Sequence, residues 1–176
     1  SLFSEPRELW LGVHLPGLDD PQPLLMRLAL FAQRFTPRGS LDPPDGLLLE
    51  VKGSLSLFGG AQRLYRAFQA GCTAAGVRPG MALAPTPLAA LAGARAGVSF
   101  KVLDESRLVG TLAPLPLRVL RWPSTVLERL AKVGVYSIGQ ALRLPRAGFA
   151  RRFGAEQLLS LDRLVARSRS EERRVG

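Results

Sequence analysis

Apolar residues along the first hundred positions switch between two spacings, continuous short runs and helical stripes. Leu9 to Leu15 is a nearly unbroken apolar run closed by Pro16-Gly17, which predicts a short buried strand. After the polar link Leu18 to Pro23, apolar residues fall at positions 24, 25, 28, 31, 32 and 35, a helical spacing stopped by Thr36-Pro37. Leu41 to Gly46 is rich in turn formers, and Leu47 to Val51 reads as a strand. Lys52-Gly53-Ser54 is expected to lead into Leu55 to Phe58 as the second arm of a hairpin, or as a strand running into a loop. Gly59-Gly60 opens a helix over 61–75 that Gly76 ends. Val77 to Ala84 predicts a strand interrupted near Pro79-Gly80. Thr86 stands as N-cap and Pro87 as first helical residue of a helix through Ala96. Ser99 to Leu103 is a candidate edge strand.

The pattern changes after Asp104. Leu112 to Pro116 reads as a boundary linker, and beyond it only short helices are expected, over 124–133, 137–143, 146–152 and 155–166. Turns fall at Gly134, Leu144-Pro145 and Gly154. Strands alternating with helices followed by helices alone predict an α+β unit and then a small all-helical one, with no fixed-period repeat or low-complexity tract.

Composition changes this picture little. With 176 residues, 47% of them hydrophobic, the chain can bury a sizeable core, and no apolar run approaches the ~18–20 residues of a membrane span. Ser1 to Trp10 lacks the basic-then-apolar order of a secretory leader. The single cysteine, Cys72, allows no internal disulfide, and a cytoplasmic protein is the default expectation. Without a neighbouring His or Cys, it reads as a small core residue more readily than as a reactive thiol.

Charge adds more. Residues 1–100 carry 9 Lys/Arg against 7 Asp/Glu, whereas residues 101–168 carry 12 against 5, so most of the +10 excess lies in the helical part. A phosphate-binding face requires that distribution. The competing reading is arginine-rich codon usage, since Lys52, Lys101 and Lys132 are the only lysines. The last eight residues, 169–176, resemble a translated sequencing adapter and are set apart from the fold.

Three segments in order resemble one family. Leu41-Asp-Pro-Pro-Asp-Gly-Leu-Leu-Leu49, followed by Leu57-Phe-Gly-Gly60, resembles the central palm motif of the Y-family translesion DNA polymerases. Leu83-Ala-Pro-Thr-Pro-Leu-Ala-Ala-Leu-Ala92 is similar to the strand-to-helix segment that active members write Ile-Ala-x-Asn-Lys-x-Leu-Ala-Lys. Leu112 to Arg118, Val133-Gly-Val-Tyr-Ser-Ile-Gly-Gln-Ala141 and Arg151-Arg-Phe-Gly154 resemble the thumb. The resemblance is strongest to the catalytically inactive mutasome branch of that family. It implies a palm over residues 1–111, an antiparallel or mixed sheet with helices on one face, and a helical thumb over 112–168 with a helix-hairpin-helix-like motif. Fingers, which would fall near 18–24, and a little finger are expected to be absent.

Departures from the family pattern bear on chemistry. Two-metal phosphoryl transfer needs carboxylates converging on ions about 3.5–4 Å apart. Where active members place those acids, this chain has His14, Pro16, Asp45 and Gly46. A neutral His and a Pro do not rebuild an oxygen-lined magnesium site, and Asp45 before Gly46 also suits a turn. Thr86-Pro87 and Leu91 stand where the family has Asn-Lys and Lys, removing a phosphate-side cation. The expectation is therefore no catalytic residues, no metal and no cofactor, with Mg2+ relevant only if the chain were active after all.

The family's Gly-Val-Gly-type hairpin is replaced by Leu120-Arg-Trp-Pro123. Arg118, Arg121, Lys132, Arg143, Arg146, Arg151 and Arg152 remain as candidate phosphate contacts, or as a solvated helical face. Trp122 suits stacking on a base or packing inside, and Trp10 is expected in the core.

The resemblance implies a non-catalytic homologue in bacterial translesion synthesis and the SOS response to DNA damage, nucleoid-associated. It would hold primer-template DNA and bridge an error-prone polymerase, the sliding clamp and a RecA-like accessory protein through segments outside this chain. The alternatives are an active Y-family polymerase, or a basic helix-hairpin-helix module on an unrelated domain.

Overall fold

Alternation in β1 (Trp10–His14) decides how the sheet is used. In the computed structural model, which describes residues 6–166, Leu11 and Val13 are fully buried on one face, and Trp10, Gly12 and His14 point to the other. β1 is the second strand from one edge of a four-stranded sheet ordered β2-β3-β1-β4, where β2 is Gly39–Asp42, β3 is Gly46–Glu50 and β4 is Gly80–Ala84. Every pairing is antiparallel, with His14 opposite both Gly46 and Gly80.

Large apolar side chains on the first face bind two helices, α1 (Gln22–Ala32) and α3 (Ala61–Ala74). Leu25, Leu28, Phe68 and Cys72 bury against Leu11, Val13, Leu47, Leu49, Met81 and Leu83. Phe35 joins the two helices, stacked on Phe58 at 4.7 Å and edge-on to Phe31 and Phe68.

The second face is small: Gly12, Ala82 and Ala84. That lets α4 (Pro87–Ala96) lie with its backbone against the strands, because a Cβ on Gly12 would strike the carbonyl of Ala90. Helices therefore cover both faces, correcting the expectation of one. The alternation of bulky and minute residues is the cause, since a sheet buried on both sides needs room for the second layer.

Residues 15–21 connect β1 directly to α1. Leu55 to Phe58 is not a strand: Lys52–Ser54 makes a 3-10 turn and Leu55–Phe58 a short helix, α2, closed by Gly59 at φ 80°. The candidate edge strand at 99–103 is reduced to one parallel bridge between Lys101 and Leu83, flanked by backbone bonds to Phe100 and Val102.

After β4 the described residues contain no further strand. A 3-10 turn, Glu105–Arg107, leads into α5 (Leu108–Leu112), and a second, Leu117–Leu120, leads to Arg121. Then follow α6 (Ser124–Lys132), α7 (Ile138–Leu142), α8 (Arg146–Phe153) and α9 (Ala155–Leu164). Gly134 at φ 80° turns α6 into α7, whose start is fixed by a reciprocal capping box between Ser137 and Gln140. The core of these helices is continuous with α4: Ala89, Ala90 and Ala92 share one cluster with Leu112, Leu115, Leu130, Ile138, Phe149 and Leu164. Leu112 and Leu115, read from sequence as linker, are thus core residues. The segment 169–176 lies outside the described residues.

Candidate functional site

At one end of the sheet the last residue of β1, the β2–β3 turn, the end of α4 and the turn before α6 meet. The pairing that sets His14 and Asp42 both opposite Gly46 brings the strand end and the turn together. Gly46 is required there, because a Cβ would sit 2.9 Å from Asp42 Oδ2.

Both oxygens of Asp45 are engaged. Nε2 of His14 lies 3.1 Å from Oδ2. A carboxylate only accepts, so that nitrogen carries the proton. Arg121 Nη2 donates to Oδ1 at 2.6 Å, and Nη1 of the same guanidinium donates to Pro43 O at 3.2 Å and lies 3.8 Å from Asp42 Oδ2. Arg95, near the end of α4, donates to Asp42 Oδ2 at 2.8 Å and to the carbonyl of Val119 at 2.9 Å. Two arginines thus interleave with two aspartates across the junction between the sheet and the helical region. Burial pushes the Asp45 carboxyl up. The hydrogen bond and charge of Arg121, with those of His14, outweigh burial and hold the group below the usual carboxylate range.

Arg121 adopts φ 56°, ψ 35°, a left-handed conformation in which a side chain is disfavoured and glycine is the common occupant.

Of the other candidate catalytic positions, Pro16 is exposed beyond the strand end and Gly46 offers no side chain. Among the described residues no group of three or more His, Cys, Asp or Glu is placed to hold a metal ion.

The seven candidate phosphate contacts divide. Arg118, Lys132, Arg143, Arg151 and Arg152 are exposed. Arg121 is turned to the aspartates, and Arg146 makes a bidentate pair with Asp162 at 2.6 and 2.8 Å. Arg152 lies over the Phe153 ring at 5.2 Å, where Arg129 of α6 approaches at 5.8 Å. Arg129 went unmarked in the sequence. So did Asp42 and Arg95, which are 53 positions apart and have no local signal linking them.

Trp122 packs: its ring is edge-on to Phe149 and its Nε1 donates to Ser160 Oγ at 3.2 Å. Trp10 is only half-buried, with Nε1 donating to Glu8 at 2.9 Å, because it falls on the small-residue face of β1. Cys72 is fully buried and its thiol is pushed up to about 11 by burial, consistent with a core residue. No helix among the described residues is long and apolar enough to cross a membrane.

Comparison with known proteins identifies the relatives. No family model matches the chain. Protein ImuB of Caulobacter vibrioides, in strains NA1000/CB15N and ATCC 19089/CB 15, is 33% identical over 152 residues, 86% of this chain. The chain spans only 33% of the length of those relatives. Among solved structures, DinB from Sulfolobus solfataricus superposes with a TM-score of 0.64 at 15% identity, covering 82% of this chain and 45% of that one. An insertion ternary complex of Dbh DNA polymerase gives 0.63 at 15% identity with the same coverage. The likeness to both is one of fold.

Proposed function

We propose, from the premise that this chain is Y-family-like in fold and ImuB-like in sequence, that it is the palm and thumb of a polymerase homologue that holds DNA without copying it. The palm would run to residue 111 and the helical thumb over 112–168, with α6, the Gly134 turn and α7 as its helix-hairpin-helix element.

The observation that carries this reading is the state of Asp45. In a two-metal site a carboxylate must offer its oxygens to the ions. Here one oxygen faces His14 Nε2 and the other an arginine at 2.6 Å. Of the four positions where the family's acids would stand, only Asp45 supplies a carboxylate. A cationic guanidinium beside it opposes a divalent ion. The donor set does not fit a magnesium pair.

DNA contact is supported by the exposed Arg118, Lys132, Arg143, Arg151 and Arg152 in the region that carries the charge excess. Such contacts hold the phosphate backbone without reading bases. A role in bacterial translesion synthesis, bridging an error-prone polymerase and the sliding clamp, follows from the likeness to ImuB. The surfaces for that bridging would lie in parts of such proteins outside the stretch matched here.

Fluorescence anisotropy of a labelled primer-template, titrated with the chain at low and moderate salt, tests the reading. Binding that falls steeply with salt and ignores both sequence and Mg2+ is the expected result. Absence of binding by folded protein at low salt would sink the DNA assignment. Mg2+-dependent extension of the primer would sink the non-catalytic one.

A further inference from the structure

The misfit between the fold's metal requirement and this donor set has a structural consequence. We propose that Arg121 is the resident cation of the degenerate site: its guanidinium stands at the Asp42 and Asp45 carboxylates in place of a divalent ion, and latches the turn before α6 to the end of the sheet. The proposal rests on the non-catalytic reading above and deepens it.

Three observations converge on Arg121. One guanidinium reaches both carboxylates, 2.6 Å from Asp45 Oδ1 and 3.8 Å from Asp42 Oδ2, and also donates to the turn carbonyl of Pro43. That planar, five-donor group suits the task, because its donors are spread over separate nitrogens in a fixed fork, whereas an ammonium gathers its three donors on one atom. Its backbone is left-handed at φ 56°, a cost that persists only where surrounding contacts hold it. These side-chain contacts hold it together with its own N–H, which donates to Arg118 O at 3.2 Å and closes the 3-10 turn.

The latch is doubled from behind. Arg95 binds Asp42 and the carbonyl of Val119, two residues before Arg121, with its side chain 10% exposed. The sheet end, α4 and the 117–121 turn are therefore tied by two guanidiniums sharing one carboxylate. A metal-bound polymerase site would have to keep these oxygens clear for ions. Here the positive charge is built into the chain, so the orientation of the helical region on the sheet does not depend on metal or nucleotide.

His14 is the only histidine of the chain, so its imidazole resonances report on this site alone. Manganese titrated into the intact chain is expected to leave the His14 signals as narrow as the rest. In Arg121→Ala, the same titration is expected to broaden His14 selectively, and amides of residues 117–121 should exchange about fivefold faster. If that variant does not fold, the shorter, neutral but still polar Arg121→Gln replaces it with the same two expectations.

Selective broadening of His14 in the wild type overturns the proposal, because a free cation would then be taking the place assigned to Arg121. So does a folded Arg121 variant that stays blind to manganese or keeps its turn amides protected. Broadening in the wild type overturns the proposal even where neither variant folds. None of these readouts uses DNA, so failure of the anisotropy experiment and failure of the latch are separable.

Discussion

Asp45 shows how both oxygens of a single carboxylate can be committed within the chain. The residue stands just before β3, and its lowered pKa reflects the ion pair with Arg121 and the contact with His14. Because the folded-state value is depressed, the charged carboxylate contributes stability that is fully present above the ordinary carboxylate pKa. That contribution is lost as pH falls through the lowered value. Asp45→Asn keeps the size and one acceptor but removes the charge. It is expected to be less stable than the wild type by about 1 kcal/mol near neutral pH, a figure suited to a partly exposed pair. The gap should close as the solution is acidified below the usual carboxylate range, since the wild-type group is then also neutral. Urea unfolding of both proteins across that range reads this directly. A gap independent of pH would mean that shape, rather than charge, sets the role of Asp45.

Elements differ in how much of them the amino-acid pattern exposes, and the reason is burial. β1 and β3 were legible because their side chains are buried on both faces and so form continuous apolar runs. β2 was not: Gly39, Ser40 and Leu41 are exposed at the sheet edge, so no apolar period marks it and its turn formers dominate. Leu55-Ser-Leu-Phe58 alternates like a strand, yet Leu57 is 78% exposed and Gly60 N bonds back to Leu55 O at 2.8 Å, so the alternation reflects no buried face. At the candidate site, His14, Pro16, Asp45 and Gly46 could be marked by their places in a motif. Arg95 could not, and Arg121 was marked only as a phosphate contact, because both reach the site by long-range packing. α4 lies between these cases. Thr86 was legible as an N-cap and does accept from Ala89 N at 3.2 Å, but its hydroxyl also donates to Leu164 O at 2.7 Å, tying α4 to the end of α9. Thr86→Val removes both bonds at a buried position, and a loss of about 2 kcal/mol in urea unfolding is expected. Thr86→Ser should retain most of it. A loss in Thr86→Ser with little in Thr86→Val would assign the effect to packing of the methyl group instead.

Across the whole molecule the cationic side chains fall into two groups, which composition alone could not separate. Arg95, Arg121 and Arg146 face carboxylates and hold the structure together. Arg118, Lys132, Arg143, Arg151 and Arg152 are exposed, and the proposed function assigns them to DNA phosphates. The distinction is measurable because phosphate contacts release counterions and internal pairs do not. Arg151→Ala with Arg152→Ala is expected to weaken DNA binding to the same extent on any sequence. It should also make the slope of log affinity against log salt shallower by about 2, near one unit per lost phosphate contact. Arg146→Ala leaves the Asp162 carboxylate without its bidentate partner. It should cost about 1 kcal/mol of stability while leaving the salt slope as it was. If instead the double variant keeps the wild-type slope, the arginines at the end of α8 are a solvated face produced by codon usage. A slope changed by Arg146→Ala and not by the pair would move the DNA-facing surface to the other end of that same helix.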